Sequence, residues 1–338
     1  MNAKQLAAFI AQQAAQPDPE IFEQAARQCR ATFAGHVYLR GLIELSSHCK
    51  NDCYYCGIRK SNAKASRYRL DKAQILQCCQ VGYALGYRTF VLQGGEDGYF
   101  DDEKMPRIVS AIRQRYPDCA ITLSLGERSS NSYEALFAAG ANRYLLRHET
   151  ATATHYRHLH PPRLSWEHRK ECLYQLKTIG YQVGAGFMVG SPGQSYEHLA
   201  NDLLFLRELQ PHMVGIGPFI PHADTPFAQE PSGPLQLTLL MIALTRLMLP
   251  EALLPATTAL ASLHKEGRAM GLQAGANVIM PNLSPPDTRT AYSLYNNKVH
   301  TDDEAAENLR RIQNDIHRWG LYADMGRGDH PQMRKPGI

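Results

Sequence analysis

The chain has 338 residues but no cysteine after Cys172. It also lacks any apolar run approaching the roughly 20 residues of a membrane span, which excludes a helical membrane protein. The opening residues, MNAKQLAAFIAQQAAQ, lack a basic segment followed by a sustained apolar core, so no secretory signal is read there and a cytoplasmic location is expected. Charge of one sign is scarce as well. A net +4 does not supply the clustered basic face that nucleic acid asks for, so neither nucleic acid nor a membrane is expected as a partner. What is present is an ordinary soluble globular balance, 44% hydrophobic and 20% charged. In a reducing compartment the eight cysteines are expected as thiols or metal ligands rather than disulfides.

One pattern recurs along the chain: a helix-like stretch ends at a glycine and a β-rich run follows within a residue or two. It occurs at Gly86, Gly140, Gly180 and Gly275. A glycine just past a helix accepts the left-handed conformation that closes its last turn. Asn131 with Glu134, and Thr301 with Glu304, read as capping boxes, and Ser165 and Ser195 as N-caps. Strands are placed near 37–45, 89–93, 120–125, 143–147, 182–188, 213–217, 253–257 and 276–280. Eight strands alternating with helices predict an α/β fold, a (β/α)8 TIM barrel with N-terminal and C-terminal helical extensions. A doubly wound sheet is the alternative. The chain reads as a single domain, 1–338. Within it, 1–35 is a helical extension, 36–300 the barrel, and 301–338 a final helix and tail. That helix, 302–320, sets Ala305, Leu309, Ile312, Ile316 and Trp319 on one face. The tail after Gly326 is expected to be poorly ordered.

The chemistry is concentrated in ELSSHCKNDCYYCGIRKSN, where Cys49, Cys53 and Cys56 follow a predicted strand with C-x3-C-x2-C spacing. One loop can wrap three such thiolates around one metal centre, and soft thiolates select zinc, copper(I) or iron–sulfur clusters. A structural zinc site needs four ligands, and only His48 is near. Three thiolates on a four-iron cubane leave one iron open to a substrate or cofactor. Zinc, and an incidental grouping, stay open as alternatives.

This loop, with the aromatic Tyr55 before the third cysteine, resembles the radical S-adenosylmethionine superfamily. The resemblance implies one 4Fe–4S cluster whose open iron is chelated by the methionine part of S-adenosyl-L-methionine, cleaved to a deoxyadenosyl radical. The runs RGLIELS, RYRL, VLQGGED, TLSLGE, RYLLRHETA, GAGFMVGSPGQ, MVGIGPFIPHADTP, LPATTA and GANVIMPN further resemble the HydE family of FeFe-hydrogenase maturases, in that family's order. This implies an enzyme of H-cluster assembly. Its radical would attack the sulfur of a cysteine-bound iron carbonyl cyanide unit made by the maturase HydG. The product would pass towards the scaffold HydF, with flavodoxin or ferredoxin as reductant. Some members carry a second, C-terminal cysteine cluster. The corresponding VHTDDEAAENLRRIQ has none, so one cluster is expected.

Barrel enzymes carry reactive groups at the C-terminal ends of strands, and several polar residues fall there. By resemblance, Tyr55, Gly95, Glu96, Asp97, Ser124, Glu149, Arg169 and Met188 hold the cofactor. The glycine-rich Gly95–Asp97 loop lies at the methionine amino group, Glu149 at the ribose, and Arg169 at the carboxylate, where a guanidinium pairs bidentately. Gln93, Thr122, Arg147, Thr257, Thr258, Tyr292 and Tyr295 would surround the substrate. Several have a plainer reading. Gly95–Asp97 could be an ordinary turn, Arg169 a solvated surface residue, Met188 core packing, Thr257 and Thr258 β-formers, and Tyr292 and Tyr295 core aromatics. His48, His148 and His222 read as structural, since no spacing pairs them, and Cys29, Cys78, Cys79, Cys119 and Cys172 as packed thiols. A mutase or sulfur-insertion enzyme, and a non-catalytic iron–sulfur carrier or scaffold, are the competing functional classes.

Overall fold

The computed structural model describes residues 1–299 and 305–334. Eleven strands are described: β1 His36–Leu39, β2 Gly41–Ser46, β3 Thr89–Gly94, β4 Ala120–Ser124, β5 Arg143–Leu145, β6 Gln182–Ala185, β7 Met188–Val189, β8 Met213–Val214, β9 Gly217–Pro218, β10 Val278–Ile279 and β11 Tyr322–Asp324. The helices are α1 Ala3–Ala15, α2 Pro19–Phe33, α3 Lys72–Ala84, α4 Lys104–Arg115, α5 Ser130–Ala138, α6 Ala153–Leu159, α7 Trp166–Ile179, α8 Tyr196–Leu209, α9 Leu235–Met248, α10 Thr258–Leu263, α11 Gly267–Gln273, α12 Pro286–Arg289 and α13 Ala305–Arg318.

A six-stranded parallel sheet runs β2-β3-β4-β5-β6-β8. Three parallel bridges complete the ring: Met213 to Leu253, Pro255 to Val278, and Leu42 to Asn282. Eight parallel segments therefore close on themselves as a (β/α)8-like barrel with helical extensions. The interior and exterior of a strand alternate with period two. On β2, Ile43 and Leu45 join the apolar layer under the helices, and Glu44 and Ser46 take the other face.

Gly86, Gly140, Gly180 and Gly275 all adopt positive φ, between 99° and 112°, as the helix-end reading required. Ser165 and Ser195 cap α7 and α8 through their side chains. The cap of α5 is Ser129 rather than Asn131, because the serine hydroxyl reaches the Ser132 N–H first. The Thr301–Glu304 box lies outside the described residues. The expected seventh strand, 253–257, is held only by bridges, and Thr257 and Thr258 instead cap and open α10. The fifth and sixth expected strands each break in two, at Gly186 and Gly215, where backbones pass so closely that a Cβ on Gly186 would sit 2.1 Å from the Gly215 carbonyl.

The tail departs from its expectation. β11 pairs in parallel with β1, and the segment after it enters the N-terminal end of the barrel. Asp329 accepts from Arg143 Nη2 at 2.7 Å, from Gln182 Nε2 at 2.7 Å and from Arg327 Nε at 2.8 Å. The Arg327 carbonyl accepts from Thr89 and Arg143, and the Gly328 carbonyl from Arg40. Arg143 is wholly buried and Arg40 nearly so. A buried guanidinium needs a counter-ion, and the tail supplies it, so residues 327–334 are ordered as a floor to the barrel.

Candidate active site

The cluster loop leaves β2 at Ser46, at the C-terminal end of the barrel. Its backbone is clamped from several sides. Lys50 N–H donates to the Glu96 carbonyl at 2.8 Å, Tyr54 N–H to Leu159 at 3.0 Å and Gly57 N–H to Leu294 at 2.8 Å. Arg67 collects the carbonyls of Ser47, Ile58, Arg59 and Asn62 from within the curve of the loop. A long irregular loop is thereby fixed by partners on three other segments.

Cys49, Cys53 and Cys56 are free thiols, half-buried. Among the described residues no three His, Cys, Asp or Glu side chains gather tightly enough for one metal ion. A cubane takes one thiolate per corner and so asks for a wider spread than a single ion does. Burial pushes all three thiols up, Cys56 to about 12, so an iron centre would have to displace their protons. Soft donors, spacing and orphaned polar groups nearby together fit a 4Fe–4S cluster with S-adenosylmethionine beside it.

Gly95 lies against this loop. A Cβ there would sit 2.2 Å from the His48 carbonyl and 2.8 Å from Cys49 Cβ, so only glycine fits. Glu96 is almost buried, pairs with Lys50 at 3.2 Å, and accepts from the Glu127 N–H at 2.9 Å. Asp97 differs from the other two. Its carboxylate is already engaged by Ser46 Oγ at 2.7 Å, Arg69 Nε at 2.7 Å and the Tyr99 N–H at 3.0 Å. It holds the turn that presents Gly95 and Glu96.

Arg169, in the first turn of α7, points inward and is buried. Its Nε donates to Glu127 Oε1 at 2.5 Å and its Nη1 to the Arg147 carbonyl at 3.0 Å. The surface reading of Arg169 is thereby set aside. Glu149 has φ 64°, in the left-handed region, and its Oε2 lies 3.1 Å from Arg147 Nη2 without hydrogen-bond alignment. Met188 packs with Leu159 and Phe219 in an apolar group that also holds Tyr55 and Phe227. The Tyr55 hydroxyl lies 3.2 Å from His160 Nε2. Ser124 ends β4 in register with Gln93.

Around the barrel mouth the remaining residues converge. Gln93 Nε2 donates to the Tyr292 hydroxyl at 3.3 Å. Thr122, two residues before Ser124, shares its face of the sheet. The hydroxyls of Thr122 and Thr257, and Nε and Nη2 of Arg147, are buried without a hydrogen-bond partner. Buried polar atoms ordinarily find partners, so such a group marks a place for a polar ligand or water. Burial pushes the Tyr295 phenol up to about 12, so it stays a donor. Thr258, one residue into α10, is part-buried, and its carbonyl accepts from Ser262.

Two partnerships were not foreseen. Glu127, the counter-ion of Arg169, lies in the run TLSLGE but was read only as pattern. Lys298 donates to Glu44 Oε1 at 2.6 Å and to the Tyr292 carbonyl at 2.7 Å, and Glu44 also accepts from Asn282 at 2.8 Å. A glutamate within the first barrel strand, on the face opposite Ile43 and Leu45, was the available signal.

Comparison with known proteins places these features. Residues 43–206 match the radical SAM superfamily. The FeFe hydrogenase maturase subunit HydE of Thermotoga maritima is 46% identical over 281 residues, covering 83% of this chain and 80% of that protein. The 3-methylornithine synthase of Methanosarcina barkeri is 29% identical, covering 86% of this chain and 82% of its own. The crystal structure of methylornithine synthase (PylB) superposes with a TM-score of 0.79 at 25% identity, covering 90% of this chain and 88% of that one. The maturase HydG shares the fold, with a TM-score of 0.74 at 17% identity over 90% of this chain and 68% of its own.

Proposed function

The chain belongs to the HydE family of radical S-adenosylmethionine enzymes of hydrogenase maturation, and from that premise we propose that it acts on the sulfur of a cysteine-bound iron carbonyl cyanide complex delivered by HydG. Cys49, Cys53 and Cys56 would hold the single 4Fe–4S cluster. When bound, that cluster supplies the electron that splits S-adenosylmethionine into methionine and a deoxyadenosyl radical.

The protein's part is to bind, orient and exclude water. Gly95 lets its turn sit close against the cluster loop, where Glu96 would lie near the methionine amino group. Arg169, fixed by Glu127, would hold the carboxylate. Glu149, turned inward by its left-handed backbone, would accept from the ribose hydroxyls, and Ser124 lies on the same rim. Tyr55 and Met188 would face the adenosine. This packing would keep the reactive carbon away from solvent and direct it to one target.

The observation that carries the substrate reading is the set of buried donors without a hydrogen bond, Arg147 Nε with the Thr122 and Thr257 hydroxyls, beside an Arg147 Nη2 that meets only the Glu149 carboxylate. They suit a small anionic ligand rich in acceptors, such as a carboxylate or an iron-bound cyanide. Gln93, Tyr292, Tyr295 and Thr258 would complete that shell. The product would then pass to HydF, a reduced flavodoxin or ferredoxin would supply electrons, and the setting would be the cytoplasm.

The test is to incubate the reduced enzyme with S-adenosylmethionine and the HydG product and follow the reaction by electron paramagnetic resonance. A new iron-centred signal carrying label from isotopically substituted adenosine is expected. Deoxyadenosine released with hydrogen abstracted from an amino-acid carbon would instead indicate mutase chemistry.

A further inference from the structure

The barrel mouth is crossed by a long irregular segment, residues 281–299, whose only helix is α12. Its second half carries Tyr292 and Tyr295. A loop of this length needs ties of its own to stay ordered, and both ends of this one are tied to the same residue, Glu44 of β2. At the near end the Glu44 N–H donates to Ser284 Oγ at 2.8 Å, and Asn282 Nδ2 donates to Glu44 Oε2 at 2.8 Å. At the far end Lys298 Nζ donates to Glu44 Oε1 at 2.6 Å. One glutamate thus clasps the segment into a ring.

The clasp is buried: the Lys298 and Glu44 side chains are 8% and 1% exposed. Taking two charges out of water costs about as much as their attraction returns, and an apolar pair of the same volume is often as stable. What the pair does supply is one fixed geometry, and that geometry centres on Tyr292. The same Lys298 Nζ donates to the Tyr292 carbonyl at 2.7 Å and lies over the Tyr292 ring, 4.7 Å from its centre, where a cation is attracted.

The Tyr292 hydroxyl accepts from Gln93 Nε2 at 3.3 Å. Gln93 is the partner of Glu44 in the β2–β3 register, so the two project from one face of the sheet. Tyr292 is therefore held by its main chain and ring from β2 and by its oxygen from β3. With its oxygen accepting from Gln93, the phenol keeps its own proton to give. Burial pushes its pKa well above the ordinary value, so it remains a donor.

We propose that Lys298 and Glu44 are positioning residues for the reaction, aiming the Tyr292 hydroxyl at an acceptor atom of the bound substrate. The inference rests on the function proposed above and deepens it. A hydrogen bond to a cyanide nitrogen or a carboxylate oxygen weakens steeply as its angle departs from linear. A misplacement of about 1 Å can cost as much as a hundredfold in rate. Without the clasp the donor would lose its aim, and S-adenosylmethionine cleavage would run ahead of product.

The test uses reconstituted holoenzyme as wild type, Lys298→Met, Tyr292→Phe, the Lys298→Met/Tyr292→Phe double variant and Lys298→Arg. Each receives dithionite, S-adenosylmethionine and the HydG product. The new iron-centred signal is then quantified per deoxyadenosine released. The expected ratio falls about tenfold or more in Lys298→Met, and by a similar factor in Tyr292→Phe. The double variant should fall no further than the worse single one, because two residues acting through one contact are not additive. Lys298→Arg, which keeps the charge, should recover most of the wild-type ratio. Hydrogen exchange of residues 284–299, which needs no turnover, should be faster in Lys298→Met and near wild type in Lys298→Arg. Because Lys298→Met strands a buried carboxylate, Glu44→Gln/Lys298→Met removes both charges and should show the same lowered ratio. A wild-type ratio in both Lys298→Met and Glu44→Gln/Lys298→Met, or losses that multiply in the Tyr292 double variant, would overturn the positioning role. A wild-type enzyme that cleaves S-adenosylmethionine but gives no signal from the HydG product would instead overturn the function on which the inference rests.

Discussion

His148 Nε2 lies 3.4 Å from Asp202 Oδ1, and both side chains are wholly buried. The pair sits beneath the turn that offers Arg147 and Glu149 to the site. His148 Nδ1 accepts the Gly186 N–H at 3.2 Å, so in the neutral ring the proton is on Nε2, facing the carboxyl. Asp202 Oδ1 in turn accepts the Ala151 N–H at 2.5 Å. The left-handed backbone of Glu149 is held between these two anchors. Burial lowers the His148 pKa well below, and raises the Asp202 pKa well above, their ordinary values.

Asp202→Asn is therefore expected to stabilise the fold, with a definite pH dependence. Because the folded pKa of Asp202 is raised, its contribution is complete below the ordinary carboxylate range. It is lost as pH rises and the unfolded chain ionises first. Thermal melts of variant and wild type should coincide near pH 4 and separate towards neutrality, the variant melting higher. Asn keeps an acceptor for Ala151, so S-adenosylmethionine affinity should hold, whereas Asp202→Ala should lower it.

Asp329 is expected to behave with the opposite sign. Burial alone would raise its pKa, but the Arg143 guanidinium and its hydrogen bonds outweigh that and hold it well below the ordinary carboxylate value. Its contribution is present above the unfolded value and lost as pH falls. Asp329→Ala leaves Arg143 buried without its carboxylate and should cost about 3–5 kcal/mol at neutral pH. Urea unfolding should show the gap from wild type narrowing below about pH 4.

These two aspartates mark the limit of what the sequence makes legible. The cysteine spacing, the glycines ending helices and the serine caps are local signals, and Ser165, Ser195 and the four glycines occur as read. The eightfold alternation also forecast the closed barrel. Arg143 with Asp329, Arg169 with Glu127 and Lys298 with Glu44 join residues far apart in sequence, and no periodicity encodes such a pairing. The tail GRGDHPQMRKPGI has the composition of a disordered end, yet a buried arginine recruits its aspartate. In the site, Asp97 carried the signature of a ligand contact, and only its bonds to Arg69 and Ser46 reveal it as a brace.

Glu127→Gln should weaken cofactor binding without unfolding the protein. The change removes a charge-assisted bond that fixes Arg169, a loss of about 1.5–3 kcal/mol. Equilibrium binding of S-adenosylmethionine should weaken about tenfold or more. Arg169→Lys should weaken it too, since an ammonium cannot reproduce the bidentate fork.

Iron content tests the one-cluster reading. Three cysteines on one loop, with none after Cys172, should load about four irons per chain on anaerobic reconstitution. Quantitation well above that would require a second centre.

The most direct measurement compares wild type with Cys53→Ala under anaerobic reduction, following methionine and deoxyadenosine released from S-adenosylmethionine. The expected result is turnover by wild type and none above background by the variant, which keeps only two of the three thiols. Unchanged turnover in Cys53→Ala would contradict the assignment of the cluster to this loop, and with it the radical chemistry proposed for this protein.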